Sequence, residues 1–295
     1  MRKNNIYELI GNTPLVLSRS LVTKPGVKLY FKMEGHNPGG SVKDRPALNM
    51  IRSALERNEI DKRSKLIEAT SGNTGIALAM IAGLFDLDME LVMPENSTKE
   101  RVQTMRAFGA KVTLTSSERG IEGSRDFAEM KVREQGYVML NQFGNPDNWK
   151  AHYKTTGPEI WKDTEGQVTH FVSAMGTTGT IMGVSHFLKE QNPGVQIIGA
   201  QPTDGSSIPG IRKWPEEYLP KIFDPSRVDR VEEVSEAEAR TMTKRLAREE
   251  GVFSGMSSGG SATVALRIAN ELQQGTVVCI ICDRGDRYLS SDLFE

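Results

Sequence analysis

The sequence is poor in the residues from which covalent staples, metal centres and membrane spans are made. It has two cysteines in 295 residues, so a chain long enough to bury a large core does so without a disulfide framework. The four histidines, His36, His152, His170 and His186, are scattered, with no H-E-x-x-H pattern and no second cysteine pair, and no metal is expected. Cys279 and Cys282 have the C-x-x-C spacing of redox and zinc sites. They stand in the apolar run Val277-Val-Cys-Ile-Ile-Cys282, which reads as a buried strand, and on a strand residues three apart point to opposite faces. There is no surplus of either charge: 37 basic groups stand against 38 acidic ones, a net charge of −1, which argues against nucleic acid as a partner. The longest apolar run, positions 76–85, is ten residues, about half of the roughly 20 needed to span a bilayer. The opening MRKNNIYELI has no apolar segment of the signal-peptide kind. The expectation is a soluble, cytoplasmic protein with no membrane partner, and its length suggests two domains.

What is present is a regular alternation of short apolar strands and helical stretches, without repeats or a long linker. Strands are expected at 65–69, 89–93, 111–115 and 137–140, with helices at 46–57, from 76, at 97–108 and at 121–134. A second series has strands at 170–174, at 196–200 and at 277, with helices at 237–250 and 261–272. Strands alternating with helices imply parallel βαβ units. Two series predict two α/β domains with a ligand cleft between them.

Three turns after strands or before helices carry the chemical information. Ser173-Ala-Met-Gly176-Thr-Thr-Gly179-Thr180-Ile-Met-Gly183 lies between a strand and a helix, where backbone N–H groups, the helix dipole and threonine hydroxyls favour an anion. It is neither a Walker loop nor a dinucleotide fingerprint, since no G-K-[ST] follows and the spacing is G-x-x-G-x-x-x-G. A glycine turn after a strand is also a common tight connection. Thr70-Ser-Gly-Asn-Thr-Gly75 has the same setting and suits a carboxylate or phosphate, or a plain helix cap. Asn37-Pro-Gly-Gly40-Ser-Val-Lys43-Asp-Arg45 places a lysine at a helix start. Such a lysine is either solvated or, if desolvated, a Schiff-base amine or general base. Gly255-Met-Ser257-Ser-Gly259 matches a G-x-S-x-G nucleophile elbow, but all four histidines precede Ser257, against the chain order of such hydrolases.

Together, from Ile10-Gly-Asn-Thr-Pro14 to Arg284-Gly-Asp-Arg-Tyr-Leu289, these segments resemble the PLP-dependent cysteine synthase family, in its B-type (O-acetylserine sulfhydrylase B) branch. The resemblance implies the type II PLP fold, two α/β domains with largely parallel sheets: a smaller mobile substrate domain over 36–145 and a larger cofactor-binding domain over 1–35 plus 146–295. It implies pyridoxal 5′-phosphate as cofactor and Lys43 as the lysine that holds it. The turn Gly176, Thr177, Thr178, Gly179 and Thr180 would cradle the phosphate. Thr70, Ser71, Asn73, Thr74 and Gln142 would bind the substrate carboxylate, Asn73 also reaching the cofactor's 3′-oxygen, and Ser257 would face the pyridine nitrogen. A neutral serine there leaves that nitrogen largely unprotonated, favouring prompt loss of a β-leaving group.

The implied reaction is β-replacement. O-acetyl-L-serine displaces Lys43, which then removes the α-proton as general base; acetate leaves to give an α-aminoacrylate, and sulfide adds, with ping-pong kinetics. The carboxylate loop does not report whether the donor is O-acetyl- or O-phosphoserine. Pro209-Gly-Ile-Arg212-Lys213-Trp214-Pro215 and Cys282-Asp283-Arg284 resemble the B-type pattern, with Lys213 where a second arginine is common. Arg212, with Cys282 and Asp283, would then serve a dianionic donor such as thiosulfate, giving S-sulfocysteine, although Arg212 also reads as an ordinary loop cation. A serine/threonine dehydratase or cystathionine β-synthase-like enzyme shares the lysine and glycine loop, and a silent binding homologue is the non-enzymatic alternative. The family also implies a homodimer.

Overall fold

The computed structural model describes residues 2–70 and 72–295. In chain order the elements are β1 (Leu15–Leu17), β2 (Val27–Met33), α1 (Asp44–Glu56), β3 (Lys65–Ala69), α2 (Asn73–Leu84), β4 (Asp88–Pro94), α3 (Lys99–Ala107), β5 (Lys111–Thr115) and α4 (Gly120–Gln135). They continue with α5 (Pro146–Lys154), α6 (Thr156–Asp163), β6 (His170–Ala174), α7 (Gly179–Gln191), β7 (Gln196–Pro202), β8 (Arg230–Val234), α8 (Glu236–Glu250), α9 (Met256–Glu271) and β9 (Gly275–Ile281). Among the described residues the strands form two sheets, one in the order β1-β2-β9-β6-β7-β8 and one in the order β3-β4-β5. Every pairing is parallel except β1 with β2.

The larger sheet is buried on both faces, which is why its central strands are continuous apolar runs rather than alternating ones. Leu29, Phe31, Val172, Ile198, Val277 and Cys279 pack on the side of α8 and α9. Phe171, Ile197, Val278, Ile280 and Cys282 pack on the side of α7. Cys279 and Cys282 are therefore free thiols on opposite faces of one sheet, as the strand reading requires. The smaller sheet is covered by α1 and α2 on one side and by Ala128 and Phe127 of α4 on the other.

Several elements depart from the expected pattern for identifiable reasons. The segment 137–140 forms no strand: Val138 makes a single parallel bridge to Leu66, and the chain then turns away at Asn141, whose φ is 54°. Helix α9 starts at Met256 rather than at 261. Gly259, in its first turns, is a contact residue: a Cβ there would lie 2.2 Å from the Ala239 carbonyl oxygen of α8. Strand β2 lies outside the expected strands, and it carries Lys32, which is fully buried. Its ammonium donates to the Thr13 carbonyl at 2.7 Å and pairs with Glu159 of α6 at 2.9 Å. Those partners are distant in sequence, and a local pattern cannot display them. β1, β8, α5 and α6 also lie outside the expected elements.

Helices α5 and α7 meet at Gly183, where a Cβ would lie 2.1 Å from the Trp149 carbonyl oxygen and 2.6 Å from the His152 Cβ. Both contacts are with backbone-proximal atoms that have nowhere to move. Gly183→Ala is expected to lower the unfolding free energy by about 1–3 kcal/mol, the range for overpacking, read as a lower urea midpoint at unchanged slope; an unchanged midpoint would refute this packing.

Candidate active site

The C-terminal ends of β3, β6 and β9 converge, the usual place for a ligand crevice in parallel α/β sheets. A cavity of about 260 Å³ opens there, lined by residues from both sheets. Lys43 reaches it from the residue before α1. Its loop is clamped to the end of β9, with the Val42 N–H donating to the Cys282 carbonyl at 2.8 Å and Ser41 bridged to Asp283. Burial pushes the Lys43 pKa down, against the pull of Cys282, Asp283 and Glu34. The amine is thus biased toward the neutral form that a nucleophile or base requires.

The two carboxylates near Lys43 are committed elsewhere. Glu34 is fully buried and takes a bidentate pair from Arg45, both bonds 2.7 Å, with Thr13 Oγ1 donating at 2.6 Å. Burial opposes its charge, but Arg45, Thr13 and Lys32 together outweigh it and hold the carboxyl below its usual range. Asp283 accepts from Asn73 Nδ2 at 2.7 Å, from the Tyr288 hydroxyl at 2.7 Å and from the Gly255 N–H at 3.2 Å. The Cys282 thiol is pushed up to about 11, first by burial and then by Asp283, so it carries no charge at neutral pH.

Of the sequence-predicted residues, Lys43, Thr70, Asn73, Thr74, Gln142, Gly176, Thr177, Thr180, Arg212, Ser257 and Cys282 line the cavity. Thr74 Oγ1 donates to Gln142 Oε1 at 2.8 Å, joining the two carboxylate-binding candidates. Ser71 lies outside the described residues. Thr178, Gly179 and Asp283 do not line the cavity. Thr178 sets the backbone with φ at 68°, and its hydroxyl bonds the Thr177 carbonyl at 2.6 Å. Gly179 packs under Asn148, whose Oδ1 would lie 2.0 Å from a Cβ, and Asp283 supports the wall through Asn73. Gly176 is small for a similar reason, since its Cβ would lie 2.7 Å from the Gly210 carbonyl oxygen. These two glycines therefore answer first to protein neighbours.

Sequence reasoning missed Arg101, Arg125 and Tyr288, which also line the cavity. Arg101 lies over the Tyr288 ring at 5.3 Å, Arg125 over Phe143 at 5.6 Å and Arg212 over Trp214 at 5.3 Å. The Phe143 and Trp214 rings meet edge to face at 5.4 Å. Arg101 and Arg125 are single residues on polar helices, and no local signal distinguishes them. Lys213 faces away and is held by Asp204 and Glu233 at 2.8 and 2.7 Å.

A family described as pyridoxal-phosphate dependent enzymes matches residues 6–283, and the chain belongs to it. The cysteine synthase B of Pseudomonas aeruginosa is 58% identical over 290 residues, covering 98% of this chain and 97% of that protein. The cysteine synthase B of Escherichia coli is 55% identical over 292 residues, covering 99% and 96%. The crystal structure of cysteine synthase from Entamoeba histolytica superposes with a TM-score of 0.94 at 36% identity, covering all of this chain and 91% of that one. Within the pyridoxal-phosphate enzymes the chain therefore belongs to the cysteine synthase B family, and its fold is the type II fold of those enzymes.

The residues present fit the cofactor. The N–H groups of Gly176, Thr177 and Thr178 find no acceptor among the described residues, although Thr177 and Thr178 are buried. Buried donors without acceptors at the head of a 13-residue helix are what a phosphate would satisfy. Lys43 supplies an imine-forming amine in the same cavity, and Ser257, 4% exposed, an uncharged hydroxyl.

Beneath the Gln142 loop, Glu68 is 3% exposed and accepts the Asn141 N–H at 3.2 Å. Burial raises its pKa from 4.5 to about 7. Between those two values the folded protein holds one proton more than the unfolded chain, so this group's contribution to stability falls as pH rises through the window and is flat above it. Glu68→Gln keeps an acceptor and removes the titration. Relative to wild type it should gain about 1–3 kcal/mol in unfolding free energy at pH 8 compared with pH 5; an offset independent of pH would count against the assignment.

Proposed function

We propose that this chain makes L-cysteine from O-acetyl-L-serine and sulfide, replacing acetate by sulfur at the β-carbon. The observation that carries the reading is the desolvated Lys43 amine, set in one cavity with an anion-accepting turn and a hydroxyl-and-amide loop. When bound, pyridoxal 5′-phosphate supplies an electron sink for the charge that develops at the α-carbon. Lys43 would hold it at rest; once released, its Nζ takes the α-proton as the carbon–oxygen bond to acetate breaks, and gives a proton back after the carbon–sulfur bond forms. Gly176, Thr177, Thr178, Gly179 and Thr180 would hold the phosphate, and Ser257 the ring nitrogen. Thr70, Ser71, Asn73, Thr74 and Gln142 would orient the amino-acid carboxylate, with Asn73 also toward the cofactor's 3′-oxygen.

Thiosulfate is the second donor in this reading. Arg212 lines the cavity while resting on Trp214, which leaves its planar fork for a dianion; Lys213, bound to two carboxylates, takes no part. Cys282 lines the inner wall, and Asp283 stands behind it, held to Asn73. Residues 36–145 would move as the smaller substrate domain against 1–35 plus 146–295. No helix among the described residues is long and apolar enough to cross a membrane, and we read the protein as a cytoplasmic homodimer.

Lys43→Ala should lower cysteine formation by at least about 10³-fold, and borohydride reduction of the wild-type holoenzyme followed by peptide mapping should label Lys43. A label on another lysine would remove the assignment. With sulfide and thiosulfate assayed in parallel, Arg212→Ala should reduce thiosulfate turnover about 10-fold or more beyond any loss with sulfide; equal losses would defeat the role given to Arg212.

A further inference from the structure

The side-chain amide of Asn148 in α5 joins the two loops that the proposed function assigns to different parts of the ligand. It is 2% exposed. Its Nδ2 donates to the Gln142 carbonyl at 2.7 Å and to Thr177 Oγ1 at 3.2 Å. The orientation of the amide is fixed, because the Gln142 carbonyl can only accept. Packing fixes its position as well: a Cβ on Gly179 would lie 2.0 Å from Asn148 Oδ1, so the amide rests directly on the start of α7.

The consequence falls on Thr177. A hydroxyl has one proton and two lone pairs. Thr177 Oγ1 already accepts from Asn148 and, at 3.4 Å, from the Gly179 N–H. Both acceptor positions are occupied, and no acceptor among the described residues takes the proton. Thr177 lines the cavity, so its hydroxyl is left as a donor toward whatever anion lies there.

We propose that Asn148 is a positioning residue that commits Thr177 to donate to the cofactor's phosphate, and that the same amide couples this donor to the Gln142 loop. This deepens the reading of the 176–180 turn as a phosphate cradle and rests on it. Asn148→Asp replaces the donor by an acceptor. The Thr177 proton then turns to the new carboxylate, and a negative charge faces the phosphate.

The test uses purified full-length protein stripped of cofactor and titrated with pyridoxal 5′-phosphate and with pyridoxal, which lacks the phosphate. In Asn148→Asp the affinity for the phosphorylated form should fall about 10-fold or more, the scale of a lost charge-assisted hydrogen bond, while that for pyridoxal changes less than about 3-fold. Thr177→Val should lose the same preference, and the double variant should be no worse than the poorer single one. Equal losses for both ligands, or fully additive losses in the double variant, would make Asn148 a merely structural residue and overturn the proposal. If Asn148→Asp does not fold, Asn148→Ala carries the same comparison, with a smaller but still phosphate-dependent loss expected. Wild-type protein with no preference for the phosphorylated form would instead overturn the phosphate cradle itself, and the proposal with it.

Discussion

The site depends on keeping one ammonium unstable. Burial drives a proton off Lys43, and three nearby acidic groups pull the other way. Burial prevails over all three, of which one carboxylate faces a cation, one is held by neutral donors and the thiol stays protonated. Glu34 faces a bidentate Arg45, Asp283 is bound by an amide, a phenol and a backbone N–H, and the Cys282 thiol ionises only near 11. The Arg45 guanidinium offsets the field of Glu34, whereas the neutral donors on Asp283 orient its carboxylate without cancelling its charge, so it is burial that keeps the amine neutral. The ion pairs around Glu34 and Arg45 thus do more for the chemistry than for stability, since buried pairs contribute little net folding energy.

The same pairings draw distant parts of the chain together. Asn73, at the start of α2, spans to Asp283, and its side-chain Oδ1 accepts from Arg287, which also donates to the Gly39 backbone carbonyl just before Lys43. The loop that would seat the amino-acid carboxylate, the loop that carries the lysine and the segment after β9 are therefore three sides of one network. A movement at any of them is felt by the other two, because each donor in the network has its partner on a different loop.

How far the sequence revealed this follows from how local each signal is. The turns at 70–75 and 173–183 are contiguous and follow apolar strands, so their residues and their place at the strand ends could be read directly. The Tyr137–Leu140 run has the composition of a strand and makes two of its hydrogen bonds, with Ile67 N–H donating to the Val138 carbonyl at 3.0 Å and Val138 N–H to that of Lys65 at 2.8 Å. What ended it was the left-handed turn at Asn141, which composition does not encode. Asn148, Arg101 and Arg125 have single-residue roles set by tertiary neighbours, and nothing in their helices marks them. Lys32 shows the same limit from the other side: it is a charged residue at a buried position of β2, and Glu159, which pairs with it, lies far along the chain.

The distribution of charge around the cavity completes the design. Arg101, Arg125 and Arg212 each rest on an aromatic ring rather than on a carboxylate. A ring face orients a guanidinium and lends it about 0.5–1 kcal/mol at an exposed position, yet leaves its charge intact, which a carboxylate would cancel. The cavity therefore keeps a positive field for anionic ligands although the chain as a whole has a net charge of −1. On the Ser257 and Cys282 wall the lining side chains are a hydroxyl and a thiol, with the Asp283 carboxylate behind them held by Asn73, Tyr288 and the Gly255 N–H. Cations on the rings and neutral side chains lining the inner wall are both compatible with a deprotonated lysine.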